Sequence, residues 1–163
     1  MFRSKRTTIP PPSSIRSAAL RLLTRRDYTS LELRDKLIDR GYLADDVDAL
    51  LSDLTTRGLL DDRRAAEAHA RTASRIKGRG RVRIARELEA RGIARSVITD
   101  LVAELPASDE AAAIARFIER KRLPKRLDPA ARRRLFQQLL RRGFPVDAIS
   151  KALREHRHMD EDE

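Results

Sequence analysis

The sequence predicts an all-α protein: a tandem repeat of three three-helix units forming an elongated, curved array. Three observations predict it. Gly41, Gly92 and Gly143 lie 51 residues apart, each behind an arginine (Arg40, Arg91, Arg142) and ahead of an apolar residue (Tyr42, Ile93, Phe144), and a fixed period of this size marks a repeat architecture. The same offset aligns Leu33, Ile84 and Leu135, then Leu37, Leu88 and Leu139, then Val47, Ile98 and Ile149, then Leu51, Val102 and Leu153. Apolar residues recur at helical spacing, and no segment alternates with the period of two that a strand needs. A unit of about 50 residues buries little surface alone, so stacked neighbours are expected to supply the missing core.

The elements follow in order. In the first unit, residues 14–58, Ile15, Ala18, Ala19, Leu22 and Leu23 line one helix. Thr29 and Glu32 have the spacing of a capping box that opens a second, with Leu33, Leu37 and Ile38 as its apolar face. Gly41 stops it, because glycine takes the left-handed conformation of a helix end at little steric cost. Asp45 and Asp46 suit the positive end of a third helix, which carries Val47, Leu50, Leu51 and Leu54 and ends at Gly58. In the second unit, residues 59–105, Asp61 or Asp62 caps a helix through Ala65, Ala66, Ala70 and Ala73 that ends before Gly78. Ile84 and Leu88 mark the next, and Val97, Ile98, Leu101, Val102 and Leu105 the third. In the last unit, residues 106–155, Ser108 or Asp109 opens a helix with Ile114, Phe117 and Ile118. Asp128-Pro129 is a cap followed by proline in the first helical turn, ahead of Leu135, Leu139 and Leu140, and Val146, Ile149 and Leu153 close the array. Residues 1–13, with Pro10-Pro11-Pro12, and the acidic tail 156–163 are expected to be disordered.

Composition narrows the chemistry. There is no cysteine, so thiolate and disulfide chemistry is excluded. No stretch approaches the ~20 apolar residues of a membrane span, and no signal peptide opens the chain, so a cytoplasmic protein without membrane contact is expected. No Ser-His-Asp constellation or glycine-framed nucleophile is present, and the pairs Asp45-Asp46 and Asp61-Asp62 read as helix starts, so no enzyme is expected. His69 falls within an alanine-rich helical face, and His156 and His158 fall at the tail, so neither cofactor nor metal is expected.

Charge is the functional signal. With 36 basic and 25 acidic residues the formal net charge is +11, and a basic soluble protein usually meets a polyanion. Residues 15–58 are neutral overall, whereas 59–105 and 106–163 each carry +4. The excess lies in residues 71–95 and 116–142. Arg75, Lys77, Arg79, Arg81, Arg83, Arg120, Lys121, Arg122, Lys125, Arg126, Arg132, Arg133 and Arg134 are the candidate contacts to phosphate, which give affinity without reading bases. The run Lys77-Gly78-Arg79-Gly80-Arg81 reads two ways: as a cradle for an anion at the following helix N-terminus, or as a plain interhelical loop. Aromatic residues are few, and Phe117, Phe136 and Phe144 read as core, which argues against sequential base stacking.

An ordered set of pieces carries a family resemblance. Ala19-Leu20-Arg21-Leu22-Leu23-Thr24-Arg25-Arg26-Asp27-Tyr28 leads into Glu32-Leu33-Arg34-Asp35-Lys36-Leu37, then Arg40-Gly41-Tyr42 and Gly58-Leu59-Leu60-Asp61-Asp62. Lys77-Gly78, Ile84, Glu87-Leu88, Gly92-Ile93 and Leu139-Leu140-Arg141-Arg142-Gly143-Phe144 follow. Over residues 15–155 the chain resembles the RecX family, bacterial regulators of the RecA recombinase. Ala65 and His69 depart from it, standing where the family commonly carries aromatics. The resemblance implies tandem three-helix repeats and a monomer bound along the groove of the RecA–DNA filament. It implies damped ATP hydrolysis, strand exchange and cleavage of the LexA-type repressor of the SOS response, with contacts to single- or double-stranded DNA. Two other readings stay open: a sequence-specific helix-turn-helix DNA-binding protein, and a helical scaffold for acidic proteins.

Overall fold

The structure is a computed structural model that describes residues 13–122 and 127–158. Among these residues the chain forms nine α-helices, one π-helical turn and no strand: α1 (Ile15–Leu23), α2 (Ser30–Ile38), α3 (Ala44–Thr56), α4 (Asp62–Arg71), α5 (Arg81–Glu89), α6 (Arg95–Glu104), α7 (Ala107–Arg120), α8 (Pro129–Arg141) and α9 (Val146–His158). Of the segments expected to be disordered, only Ser13 and residues 156–158 lie within the described residues. The side chain of Ser13 accepts a hydrogen bond from Arg21 and its carbonyl one from Tyr42, while α9 runs on to His158.

Local chemistry sets several of these boundaries. Thr29 and Glu32 form a complete capping box on α2: the Thr29 hydroxyl accepts from the Glu32 amide and the Glu32 carboxylate from the Thr29 amide. The Asp61 carboxylate accepts from the amide of Arg64 and caps α4, while that of Asp62 accepts from the amide of Ser30 at the start of α2. The Asp128 carboxylate caps α8, with Pro129 in its first turn. Helices α2 and α8 stop alike: the amides of Tyr42 and Phe144 reach back to the carbonyls of Leu37 and Leu139, across glycines of positive φ.

One boundary and one helix form differ from the sequence reading. Neither Ser108 nor Asp109 caps α7, which begins at Ala107 behind Pro106 with no side-chain cap. Asp109 lies in the first turn instead, where its carboxylate takes a hydrogen bond from Arg75. The helix opened by Asp61 ends in a π turn over Thr72–Ile76. The wider turn brings both Ala73 and Ser74 to the buried side and leaves Ile76 80% exposed.

The chain divides into two compact units. One comprises the chain up to Ala65 together with Arg91–Ile93; the other comprises Ala66–Ala90 and the chain from Ala94 on. In the first, α1, α2 and α3 pack on one another around Leu22, Leu33, Leu37, Val47, Leu51, Leu54 and Leu60. Burying one leucine side chain fully contributes about 1.5–3 kcal/mol. In the second, α5 packs on α6 and on the π turn, the π turn packs on α7, and α9 packs on both α7 and α8. Ile114, Phe117, Leu135, Leu139, Phe144, Ile149 and Leu153 fill the core under α7, α8 and α9. The second repeat has a lean apolar complement, with alanines as its buried residues in α4. It shares its elements with both neighbours: its Arg91–Ile93 turn belongs to the first unit and its π turn packs on α7.

Candidate anion-binding site

Each unit contains one joint between successive repeats, and the two joints occupy equivalent positions. In the first unit the Thr29 hydroxyl at the start of α2 donates to the Arg91 carbonyl at 2.8 Å. In the second, the Gly80 amide at the start of α5 donates to the Arg142 carbonyl at 3.0 Å, and the Val82 amide to the Gly143 carbonyl at 3.1 Å. Both donor and acceptor have moved by the repeat offset of 51 residues. The second joint is a contact of two backbones. A Cβ on Gly80 would lie 2.2 Å from the Gly143 carbonyl oxygen, and one on Gly143 would lie 2.4 Å from the Arg83 amide nitrogen.

The charges at the two joints differ. At the first, Glu32 accepts from Arg26 and pairs with Arg91, both at 3.1 Å. Burial pushes the Glu32 carboxyl up, but hydrogen bonds from Arg26 and the Thr29 amide, with the charge of Arg91, outweigh it and hold it below the usual range. At the second joint the equivalents of Arg26, Glu32 and Arg91 are Lys77, Arg83 and Arg142. The neutralising carboxylate has become an arginine, and all three positions are cationic.

These three side chains line a cavity of about 500 Å³ together with Arg79, Lys121, Arg141, Gln138 and Phe117. Six of the eight lining residues are cations and none is acidic. From outside the lining Glu87 pairs with Arg79 and Arg83, and six cations against that one carboxylate leave a field that favours an anion. Phe117 is 7% exposed, and Arg142 and Lys121 lie over its ring at 4.5 and 5.4 Å from the centroid. The ring therefore holds cations in place, and its face is not open to a base.

The structure brings together only part of the sequence-derived set. Lys77, Arg79, Arg83 and Lys121 meet in the cavity. Arg75 is paired with Asp109 at 3.0 Å, and Arg81 with Glu110 at 2.9 Å. Arg81 and Arg122 instead line a wider groove between α7 and α9. The Arg120 Nε donates to the Arg116 carbonyl on its own helix. Arg132 and Arg133 lie with Arg154 around a shallow hollow floored by Pro129, Phe136 and Leu153. Arg134 is exposed, and Lys125 and Arg126 lie outside the described residues. Gly41, Gly92 and Gly143 all take positive φ.

The cradle reading of Lys77–Arg81 needs free amides at the start of α5. They are occupied: those of Gly80 and Val82 donate to the Arg142 and Gly143 carbonyls, and that of Arg81 to the Glu110 carboxylate. The loop contributes side-chain charge to the cavity, not a helix end. Sequence reasoning missed Arg141, Arg142 and Gln138 as site residues. Their signal lay in the register itself, which sets Arg142 opposite the start of α5.

Comparison with known proteins gives the family. Residues 16–54, 61–101 and 108–153 match the first, second and third three-helix domains of RecX. The chain belongs to the RecX family. A regulatory protein RecX of Halorhodospira halophila is 41% identical over 143 residues, covering 85% of this chain and 86% of the relative. That of Pelodictyon phaeoclathratiforme is 35% identical, covering 83% and 84%. The crystal structure of RecX from Lactobacillus salivarius has the same fold, with a TM-score of 0.77 at 23% identity, covering 87% of this chain and 94% of that one. The three RecX domains coincide with the three sequence repeats, and the family's relatives are named as regulatory proteins. Among the described residues no helix is long and apolar enough to cross a membrane.

Proposed function

We propose that this protein is a non-enzymatic, cytoplasmic regulator of recombinational DNA repair. It binds the RecA–DNA filament as a monomer and restrains RecA's ATP hydrolysis, strand exchange and promoted repressor cleavage. Membership of the RecX family supports the partner. The observation that carries the contact chemistry is the cationic cavity at the second joint, where the first joint's neutralising Glu32 is replaced by Arg83. Lys77, Arg79, Arg83, Lys121, Arg141 and Arg142 hold phosphates of the filament's DNA there, and the half-buried Arg132 with the exposed Arg133 and Arg134 extends the contact along α8. Simultaneous contacts through tandem repeats raise affinity through effective concentration. Tighter binding to one helical state of the filament shifts the filament's population.

The test is a RecA ATPase and strand-exchange assay with the purified protein at substoichiometric levels. Both rates are expected to fall, and less so for a folded Lys77→Ala/Arg141→Ala variant. No effect of the wild-type protein overturns the proposal. A selection on random duplexes that recovers one defined site favours a sequence-specific DNA-binding protein instead.

A further inference from the structure

Glu87, on α5, does not line the cavity, yet it touches two of the cations that do. Its Oε1 accepts from the Arg79 Nη1 at 2.5 Å and from the Arg83 Nε at 3.0 Å. Its Oε2 lies 2.9 Å from the His69 Nε2. The carboxylate is therefore held at both ends, by α4 on one oxygen and by two cavity arginines on the other. Burial pushes the Glu87 carboxyl up, but the hydrogen bonds from Arg83, Arg79 and His69 prevail and hold it at about 2. It stays ionised wherever the protein is folded near neutral pH.

Arg79 and Arg83 carry like charges and would repel one another on free side chains. A guanidinium has five N–H donors in a rigid fork. Arg79 uses one terminal N–H on Glu87, and Arg83 uses its Nε–H. Each keeps further donors while its plane is fixed. We infer that Glu87 is the positioning residue of the cavity: a partly buried negative charge that strengthens anion binding by fixing Arg79 and Arg83 in one geometry. The inference rests on the cavity being an anion site, here for phosphodiester groups of a nucleic-acid strand. It has a counter-intuitive sign. Electrostatics alone says that removing a carboxylate beside a cationic site tightens anion binding; positioning says that it weakens it.

The experiment is fluorescence anisotropy of a labelled oligo-dT strand, titrated with the full-length protein across a sodium chloride series. Four variants are compared with wild type. Glu87→Gln removes the charge, and Asp48→Asn removes one carboxylate from the first unit, where it pairs with Arg34. Lys77→Ala/Arg141→Ala tests the cavity itself. Glu87→Asp keeps the charge but withdraws the carboxylate by one methylene. Circular dichroism and urea unfolding check that each variant is folded. Relative to Asp48→Asn, Glu87→Gln is expected to bind about tenfold more weakly, the effect of removing one charge-assisted hydrogen bond. Its log-affinity against log-salt slope should fall by about 0.7 for each phosphate no longer neutralised. Glu87→Asp should move in the same direction, and it alone decides the matter if Glu87→Gln does not fold.

Glu87 variants that bind as tightly as Asp48→Asn, or keep the wild-type salt slope, overturn the role of Glu87 while weaker binding by Lys77→Ala/Arg141→Ala upholds the cavity. A Glu87 that serves stability alone would lower the urea midpoint and leave that slope unchanged, which also overturns the inference. An unchanged Lys77→Ala/Arg141→Ala variant overturns the anion site, and the inference with it.

Discussion

Gly80→Ala isolates the second joint better than any charge substitution. Gly80 has a φ of −77° that alanine adopts freely, so the change brings no backbone strain. Its cost is steric, because the new methyl would lie 2.2 Å from the Gly143 carbonyl oxygen and 2.4 Å from the Phe144 amide nitrogen. Backbone atoms cannot swing aside as a side chain does, so the joint must open. The Gly80–Arg142 and Val82–Gly143 hydrogen bonds then break, each worth about 1 kcal/mol net. Both glycines are buried, so polar groups left unpaired there add a further penalty of about 1–3 kcal/mol. The expected destabilisation is about 3 kcal/mol. Gly78→Ala is the control: its φ is +57°, but nothing lies within 4 Å of an added Cβ. It should cost about 1 kcal/mol, the strain of alanine in the left-handed region. Urea unfolding followed by circular dichroism measures both. Opening the joint also separates Arg79 and Arg83 from Arg141 and Arg142, so Gly80→Ala should lose affinity for oligo-dT while Gly78→Ala keeps most of it. A Gly80→Ala protein within about 0.5 kcal/mol of wild type, the range of neutral surface changes, refutes the steric reasoning.

Three more outcomes are expected. Lys77→Glu/Arg141→Glu should weaken oligo-dT binding more than tenfold and flatten its salt dependence, while Arg34→Ala, within the neutral stretch 15–58, should leave anisotropy titrations unchanged. Asp128→Ala should destabilise α8 by about 1 kcal/mol through removal of its N-cap, read as a lower midpoint in chemical unfolding. Glu87 and Glu32 both have folded-state values below the usual carboxylate range. Their stabilisation is therefore complete above the unfolded-state value near 4.5 and is lost as pH falls through the folded-state values, for Glu87 towards about 2. Thermal melts should show wild type losing stability over that interval more steeply than Glu87→Gln; parallel curves would contradict the ion-pair assignment.

The fold was readable because its signals are local. Thr29 and Glu32 are three residues apart, Gly41 ends the helix it follows, and Asp128-Pro129 starts its own helix. The site was readable only in part, because its selection among many cations is made by distant partners. Lys77, Arg79, Arg81 and Arg83 look alike in one basic run. Arg81 is withdrawn by Glu110, which lies 29 residues on, and Arg79 and Arg83 are fixed by Glu87. Arg75 is withdrawn in the same way by Asp109. Arg142 was visible as a repeat marker, but its place in the cavity depends on the backbone contact between Gly80 and Gly143. Charge counted along the chain recovers the region; which guanidinium groups have acidic partners is decided in three dimensions.

The start of α8 differs from the starts of α2 and α5 in what satisfies the joint position. Carried forward by the same offset, the joint position Thr29, then Gly80, becomes Ala131. There the helix begins early, at Pro129, and the Ala131 amide donates to the Asp128 carboxylate of its own segment at 2.6 Å. The Ala131 amide is satisfied inside its own segment, where the equivalent Gly80 amide is satisfied by the Arg142 carbonyl of the next repeat. A substitution at Asp128 therefore disturbs one helix from within, whereas one at Thr29 or Gly80 disturbs a contact between repeats, so equivalent helix starts along the series carry different mechanical weight.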